Sequence, residues 1–166
     1  MEVSHLLREL HGRVRPLVEA AVEDLSPAQL TWAPAPGANT IGWLIWHLTR
    51  VQDHHLADLV GDSQLLPTFA DRFGRAPDVD ATGYGDSPEE VASVRPESGE
   101  VLLEYHAAVQ QRLMNFLDQL SGEDLDRVVD ESWDPPVTLG VRLVSVAEDA
   151  LQHAGQAAYV RGLLPS

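Results

Sequence analysis

Apolar residues recur at Val3, Leu6, Leu7, Leu10, Val14, Leu17, Val18, Ala21, Val22 and Leu25, in steps of three and four that trace one helical stripe. The spacing predicts a helix over 3–25, kinked or broken at Pro16, which has no backbone N–H to give. Ser26-Pro27 reads as an N-cap followed by proline at the first helical position, opening a short turn to Leu30. Residues 31–39 hold Pro34, Pro36 and Gly37 and read as loop. A second helix is predicted from Asn39 or Thr40 to about Val60, stopped by Gly61. Its first half, Ile41 to Leu48, is apolar almost all round, the pattern of a central helix. Residues 61–97 are rich in Gly, Pro and Asp and read as a long connection, within which Ser87-Pro88-Glu89-Glu90 is a capping box for a short helix ending before Pro96. A third helix is predicted over 99–120, with its stripe at Leu102, Leu103, Val109, Leu113, Phe116, Leu117 and Leu120. Residues 121–136 read as a loop with one more short turn, and a fourth helix covers 139–161. No segment has the alternation of a strand.

The two halves repeat. Leu25-Ser26-Pro27-Ala28-Gln29-Leu30 matches Leu120-Ser121-Gly122-Glu123-Asp124-Leu125, and Thr40-Ile41-Gly42 matches Thr138-Leu139-Gly140. Each half is long helix, short turn, Pro-containing loop, long helix. The expected fold is therefore all-α: one domain over 1–166, a four-helix bundle in up-down-down-up order, with a long crossover between the second and third long helices.

Composition narrows the chemistry. The 166 residues include no cysteine, which excludes disulfides, thiolate zinc sites and a cysteine nucleophile. Eleven arginines and no lysine face 26 acidic residues, for a net charge of -15. A chain that acidic repels phosphate backbones and anionic lipid, so neither nucleic acid nor a membrane surface is an expected partner. Without lysine, Schiff-base chemistry and a P-loop are also out. Trp43-Leu44-Ile45-Trp46 is too short to span a bilayer, and Met1 to His5 carries an acid and no basic leader. A cytoplasmic location is expected. Dinucleotide-binding, nucleophile-elbow, His-Glu-x-x-His and EF-hand patterns are absent.

The remaining reactive groups are mostly histidines. His5 and His11 fall opposite, or at the border of, the first stripe and read as solvated. His47 lies in the all-round apolar part of the second helix, as a core histidine bonded to a carbonyl or carboxylate, or as a ligand. His54 and His55 read as a solvated helix end. His106, at the centre of the third stripe, points inward, to pack the core or line a pocket. Asp149 and His153 are four residues apart, a spacing that stacks two side chains and suits chelation of one ion. His5/Glu9 and His54/Asp58 share it, and Arg142 lies on the same face as Asp149, so a plain surface contact explains the pair equally well.

The run Pro36-Gly-Ala-Asn-Thr-Ile-Gly-Trp-Leu-Ile-Trp-His-Leu48 and the segment Asp149-Ala-Leu-Gln-His-Ala-Gly-Gln156 resemble the DinB superfamily of four-helix-bundle metalloenzymes. Thr82-Gly-Tyr-Gly85 and Trp133-Asp-Pro-Pro-Val-Thr-Leu-Gly140 make the chain similar to an actinobacterial branch of uncharacterised DinB-like proteins. The resemblance implies a divalent metal, zinc or nickel, held by His47, Asp149 and His153. Most such proteins have histidine where this chain has Asp149. A carboxylate there is similar to mycothiol-dependent maleylpyruvate isomerase, whose site has two His and one Glu. That isomerase has a further C-terminal domain outside these residues, so its activity is not carried over. What the resemblance implies is metal-dependent transfer of a low-molecular-weight thiol, with mycothiol as co-substrate. The alternative is a non-catalytic metal-binding or stress-response protein. Tyr84, Trp133 and Phe73, on long loops, are candidates to cover the site, and His106 or Gln156 to orient a bound group. The expected partners are a small thiol or electrophile, and a homodimer is compatible with the reading.

Overall fold

The computed structural model describes residues 2–165 and is mostly helical. The predicted first helix is two, α1 (Val3–Gly12) and α2 (Val14–Val22). Pro16 offers no N–H to the Gly12 carbonyl, and the Arg13 N–H turns back three residues to Leu10 at 3.3 Å. The short helix α3 (Pro27–Leu30) opens on a capping box in which Ser26 and Gln29 exchange side-chain and backbone bonds. In α4 (Ile41–Val60) the Thr40 hydroxyl caps the Trp43 N–H and Gly61, at φ 66°, ends the helix. The connection holds α5 (Leu66–Phe69), a 3₁₀ turn over 70–72, and α6 (Pro88–Ser93) on the expected Ser87–Glu90 capping box. Next comes α7 (Gly99–Leu117), shorter than predicted because its last turn tightens: Gln119 and Leu120 bond to carbonyls three residues back. A 3₁₀ turn over 123–126 precedes α8 (Leu139–Gly162), capped by Thr138.

Between that turn and α8 lies a two-stranded antiparallel sheet, β1 (Val128–Asp130) and β2 (Val137–Thr138), which the sequence pattern does not announce. Its five residues are too few for alternation, and an irregularity between Val128 and Asp130 breaks what there is.

The long helices pack on one another: α4 against α8 and α7, and α2 against the same two. From Ile41 to Arg50 every residue of α4 is buried: Ile41 to Leu48 as the composition predicts, Thr49 and Arg50 beyond it. The buried apolar residues form two clusters. One gathers Val14, Val18, Ile41, Leu44, Leu48, Leu102, Val109 and Ala150; the other, Leu7, Leu56, Leu113, Leu117, Leu139 and Leu143. In sequence, His11, Gln52 and Gln110 fall between the two on their helices, and all three are buried. His11 was expected at the surface. Instead its carbonyl accepts from Gln110 Nε2 at 3.0 Å and its ring lies by the Leu143 backbone. No helix among the described residues is long and apolar enough to cross a membrane.

The connection is pinned by a buried charge pair. Arg50 and Asp53 are 0% and 1% exposed. Asp53 accepts from the Leu65 and Leu66 N–H groups at 2.9 Å and from the Tyr105 hydroxyl of α7 at 2.7 Å. Arg50 donates to the Gln64 side chain at 2.8 Å and to the Val79 and Ala81 carbonyls at 3.0 and 3.2 Å.

Two predictions follow from this packing. Asp53→Ala leaves a buried guanidinium without its counter-charge and lowers unfolding stability in urea by about 3–5 kcal/mol; a loss under about 1 kcal/mol would contradict the pinning role. Burial also holds His11 and His106 down at about 4, so the unfolded chain takes up their protons first as pH falls. Stability is thus highest above pH 6.5 for these groups and declines from there to about 4, with a slope of about 1.4 kcal/mol per pH unit for each. His106→Phe makes that slope shallower in denaturant titrations across the window.

Candidate metal centre

Three side chains converge where α4 crosses α8. His47 comes from the buried half of α4, and Asp149 and His153 lie one turn apart on α8. His47 Nε2 is 3.7 Å and His153 Nε2 3.5 Å from Asp149 Oδ1. One ligand atom from each of the three lies within 4.8 Å of the others. These separations are long for N–H···O bonds. They are close to the roughly 3.3 Å between ligand atoms around a tetrahedral ion with bonds of about 2.05 Å.

Each ring is held with its Nε2 lone pair turned inward. His47 Nδ1–H donates to the Thr82 carbonyl at 2.7 Å, an acceptor that requires the proton on Nδ1. His153 Nδ1 bonds the Gln156 amide oxygen at 2.8 Å, which does the same on α8. Trp43 stacks flat on His47, with centroids 4.6 Å apart, and meets His153 at 6.1 Å edge-on. Burial works against the Asp149 charge, but the protonated forms of His153 and His47 outweigh that and hold its carboxyl down at about 2; in their neutral forms the lone pairs leave that attraction to a cation. The Asp149 carboxylate in turn raises the His153 imidazole, against burial. Asp149 Oδ2 is buried and receives no hydrogen bond. A carboxylate with one oxygen idle, between two imidazole lone pairs, is a donor set suited to a divalent cation. Aspartate, though shorter than glutamate, reaches.

The connection closes over this cluster. Arg50 grips Val79 and Ala81, and the next carbonyl, Thr82, is the one that holds His47. Gly83 follows at φ 96°, packed so close that a Cβ there would lie 2.9 Å from His47 Nδ1 and 3.0 Å from Trp46. Asp86 accepts from Trp43 Nε1 at 2.9 Å and is clamped by Arg75, whose guanidinium lies 5.0 Å over Trp46.

Comparison with known proteins agrees. The profile of the DinB superfamily matches residues 11–157. The chain belongs to the DinB superfamily. The crystal structure of a conserved protein from Enterococcus faecalis is similar to this DinB chain over 98% of its length and 97% of the other, at 34% identity and a TM-score of 0.89. A search of curated proteins finds no match.

The remaining candidates divide. Gln156 joins the cluster through His153. Tyr84, beside Gly83, is 94% exposed, and Trp133, in the loop between β1 and β2, is 66% exposed. Phe73, expected over the site, is instead core and packs 5.7 Å from Tyr105, because the segment before it docks on α7. His106 points inward as predicted, but toward α2, where it shares a cavity with Arg15 and Glu19. The Arg142–Asp149 contact is not formed: Arg142 bonds Asp130 at 2.8 Å and sits 3.4 Å from His55, while the Asp149–His153 contact is present at 3.5 Å. Burial, and then the Arg142 charge, hold His55 at about 4, half-buried rather than a solvated helix end. His54 meets Gln64 and the Val79 carbonyl. The sequence reading passed over Arg50, Asp53, Thr82, Gly83 and Asp86 as functional residues. Two charges three residues apart on so buried a helix were the one local signal of the pair.

Gly83→Ala forces a positive-φ alanine methyl onto His47 and Trp46. Metal affinity, read by competition with a chromophoric chelator, is expected to fall tenfold or more, with about 1–3 kcal/mol lost in stability. Unchanged affinity would show that the loop does not set the His47 position.

Proposed function

We propose that this DinB chain is a metal-dependent enzyme that transfers a low-molecular-weight thiol, mycothiol first among them, to an electrophile in the cytoplasm. The observation that carries the reading is the His47–Asp149–His153 cluster with its unpartnered Asp149 Oδ2. Zinc or nickel suits two imidazoles and a carboxylate. When bound, such an ion supplies Lewis acidity and lowers the pKa of a thiol or water that ligates it. The protein's part is positional. Thr82 and Gln156 hold the tautomers, Trp43 fixes the His47 plane, and Asp149 leaves the centre a net charge near +1. Thiol chemistry is favoured over hydrolysis because the chain has no cysteine or lysine, and the carboxylate nearest the imidazoles is itself a ligand. A thiol that loses its proton on binding needs no separate base.

The same reading takes the long helices as a four-helix bundle in up-down-down-up order. Its support is pairwise: Arg8 reaches Asp118 while Gly99 lies on Val22, and His55 meets Arg142 while His47 meets Asp149.

Purified protein is expected to carry or take up about one zinc or nickel per chain by mass spectrometry of metals. The loaded protein should then accelerate conjugation of mycothiol with monochlorobimane, the sulfur displacing chloride. His153→Ala should lose metal and rate while keeping its helical circular dichroism. No acceleration with mycothiol, bacillithiol or glutathione on metal-loaded protein would replace this reading with a non-catalytic one.

A further inference from the structure

Gly155 sits inside α8, exposed, between His153 and Gln156. Glycine in a helix interior costs about 1 kcal/mol relative to alanine. Nothing in this chain's packing asks for it, since a Cβ there would meet no atom within 4 Å. What it does is line a groove of 590 Å³ between the 31–39 loop and the last turns of α8. That volume is in the range of small-molecule sites. Pro34, Leu44, Tyr159 and Val160 give it apolar walls, and Asn39 and Gln156 give it amides. Tyr159 presents its ring to solvent, 70% exposed. Gln156 is one hydrogen bond, 2.8 Å, from His153. No charged side chain lines the groove, although the chain carries a net -15. Neither the groove nor the comparably large cavity of 630 Å³ beside Glu19, Glu23, Asp24 and Glu100 is lined by His47, Asp149 or His153; that second cavity is acidic, and only the groove has a lining residue, Gln156, bonded to the cluster.

We infer that this groove binds the body of the substrate: an uncharged, flat, apolar group with amide or hydroxyl functions placed at Asn39 and Gln156, its reactive head directed to His47, Asp149 and His153. The inference rests on the metal-centre reading. Gly155 keeps the floor of the groove low enough for a ring to lie on the helix backbone. An anion would enter without a counter-charge on the walls and a cation without a carboxylate, which leaves a neutral ligand.

The test compares acetohydroxamate, a metal-binding head alone, with 2-naphthohydroxamate, the same head on a flat apolar body, by calorimetry on zinc-loaded protein. Wild type should bind the second at least tenfold more tightly, about 1.4 kcal/mol. Gly155→Trp, which fills the groove, and Tyr159→Ser, which removes a wall, should both shrink that ratio toward one. Zinc content and circular dichroism show that each variant is folded and loaded. A ratio near one in wild type, or a ratio that survives Gly155→Trp, overturns the inference. So does a wild-type dimer by light scattering that Gly155→Trp splits, since the groove would then hold a second copy. If zinc does not bind at all, the metal-centre reading fails by itself. The neutral fluorophore N-phenyl-1-naphthylamine then decides the groove on metal-free protein: enhancement lost in Gly155→Trp sustains it, and no enhancement overturns it.

Discussion

The buried Arg50–Asp53 pair is the constraint on which the rest of the molecule depends. Two charges with no access to water persist only when nearly every polar atom around them is bonded. Here the partners come from three places: the Gln64 side chain with the Leu65 and Leu66 amides, the Tyr105 hydroxyl, and the Val79 and Ala81 carbonyls. The pair thereby ties α4 to α7 and lays an irregular segment along α4 in one register. The carbonyl after the clamped pair is Thr82, so the same clamp decides which nitrogen of His47 carries its proton. A charge pair that adds little net stability by itself thus helps orient His47 through the segment it holds.

Much of the fold was legible because its signals are local. The Ser26 cap, the Ser87–Glu90 box and the Gly61 stop need only a few neighbouring residues, and each forms as read; of Asn39 and Thr40, Thr40 is the cap. An apolar run on every face of 41–48 can only be central, so His47 had to be buried. Two of the three residues of the candidate centre were harder to see. His153 lies at the edge of the α8 stripe and Asp149 further toward its polar side, and periodicity cannot say what faces either position. Only the family resemblance joined them to His47. The break at Arg13, the buried His11 and the small sheet were missed or half seen. Each depends on what another segment supplies: for His11, the α7 amide of Gln110 and the α8 backbone.

The core is also less uniform than its stripes suggest. His11, Gln52 and Gln110 interrupt the leucines and valines of three helices between the two apolar clusters. One hydrogen bond joins this layer, from Gln110 Nε2 to the His11 carbonyl, while both polar atoms of the Gln52 amide and Gln110 Oε1 are buried without a partner. Such atoms cost stability where they stand, and slippage of α4 against α8 would pull His47 away from Asp149.

The two-half repeat has a consequence for the centre itself. Aligning Thr40 with Thr138 sets His47 against Ser145, Val51 against Asp149 and His55 against His153. A protein built from two equivalent hairpins has, by pseudo-twofold symmetry, two places where a site of this kind could stand. In the second place the counterparts are a serine, a valine and a histidine beside Arg142, a set that repels a cation instead of gathering one. The candidate centre is therefore where this molecule departs from the repeat in its sequence. One half contributes a single candidate ligand from a sealed helix, and the other contributes two from a helix partly open to solvent.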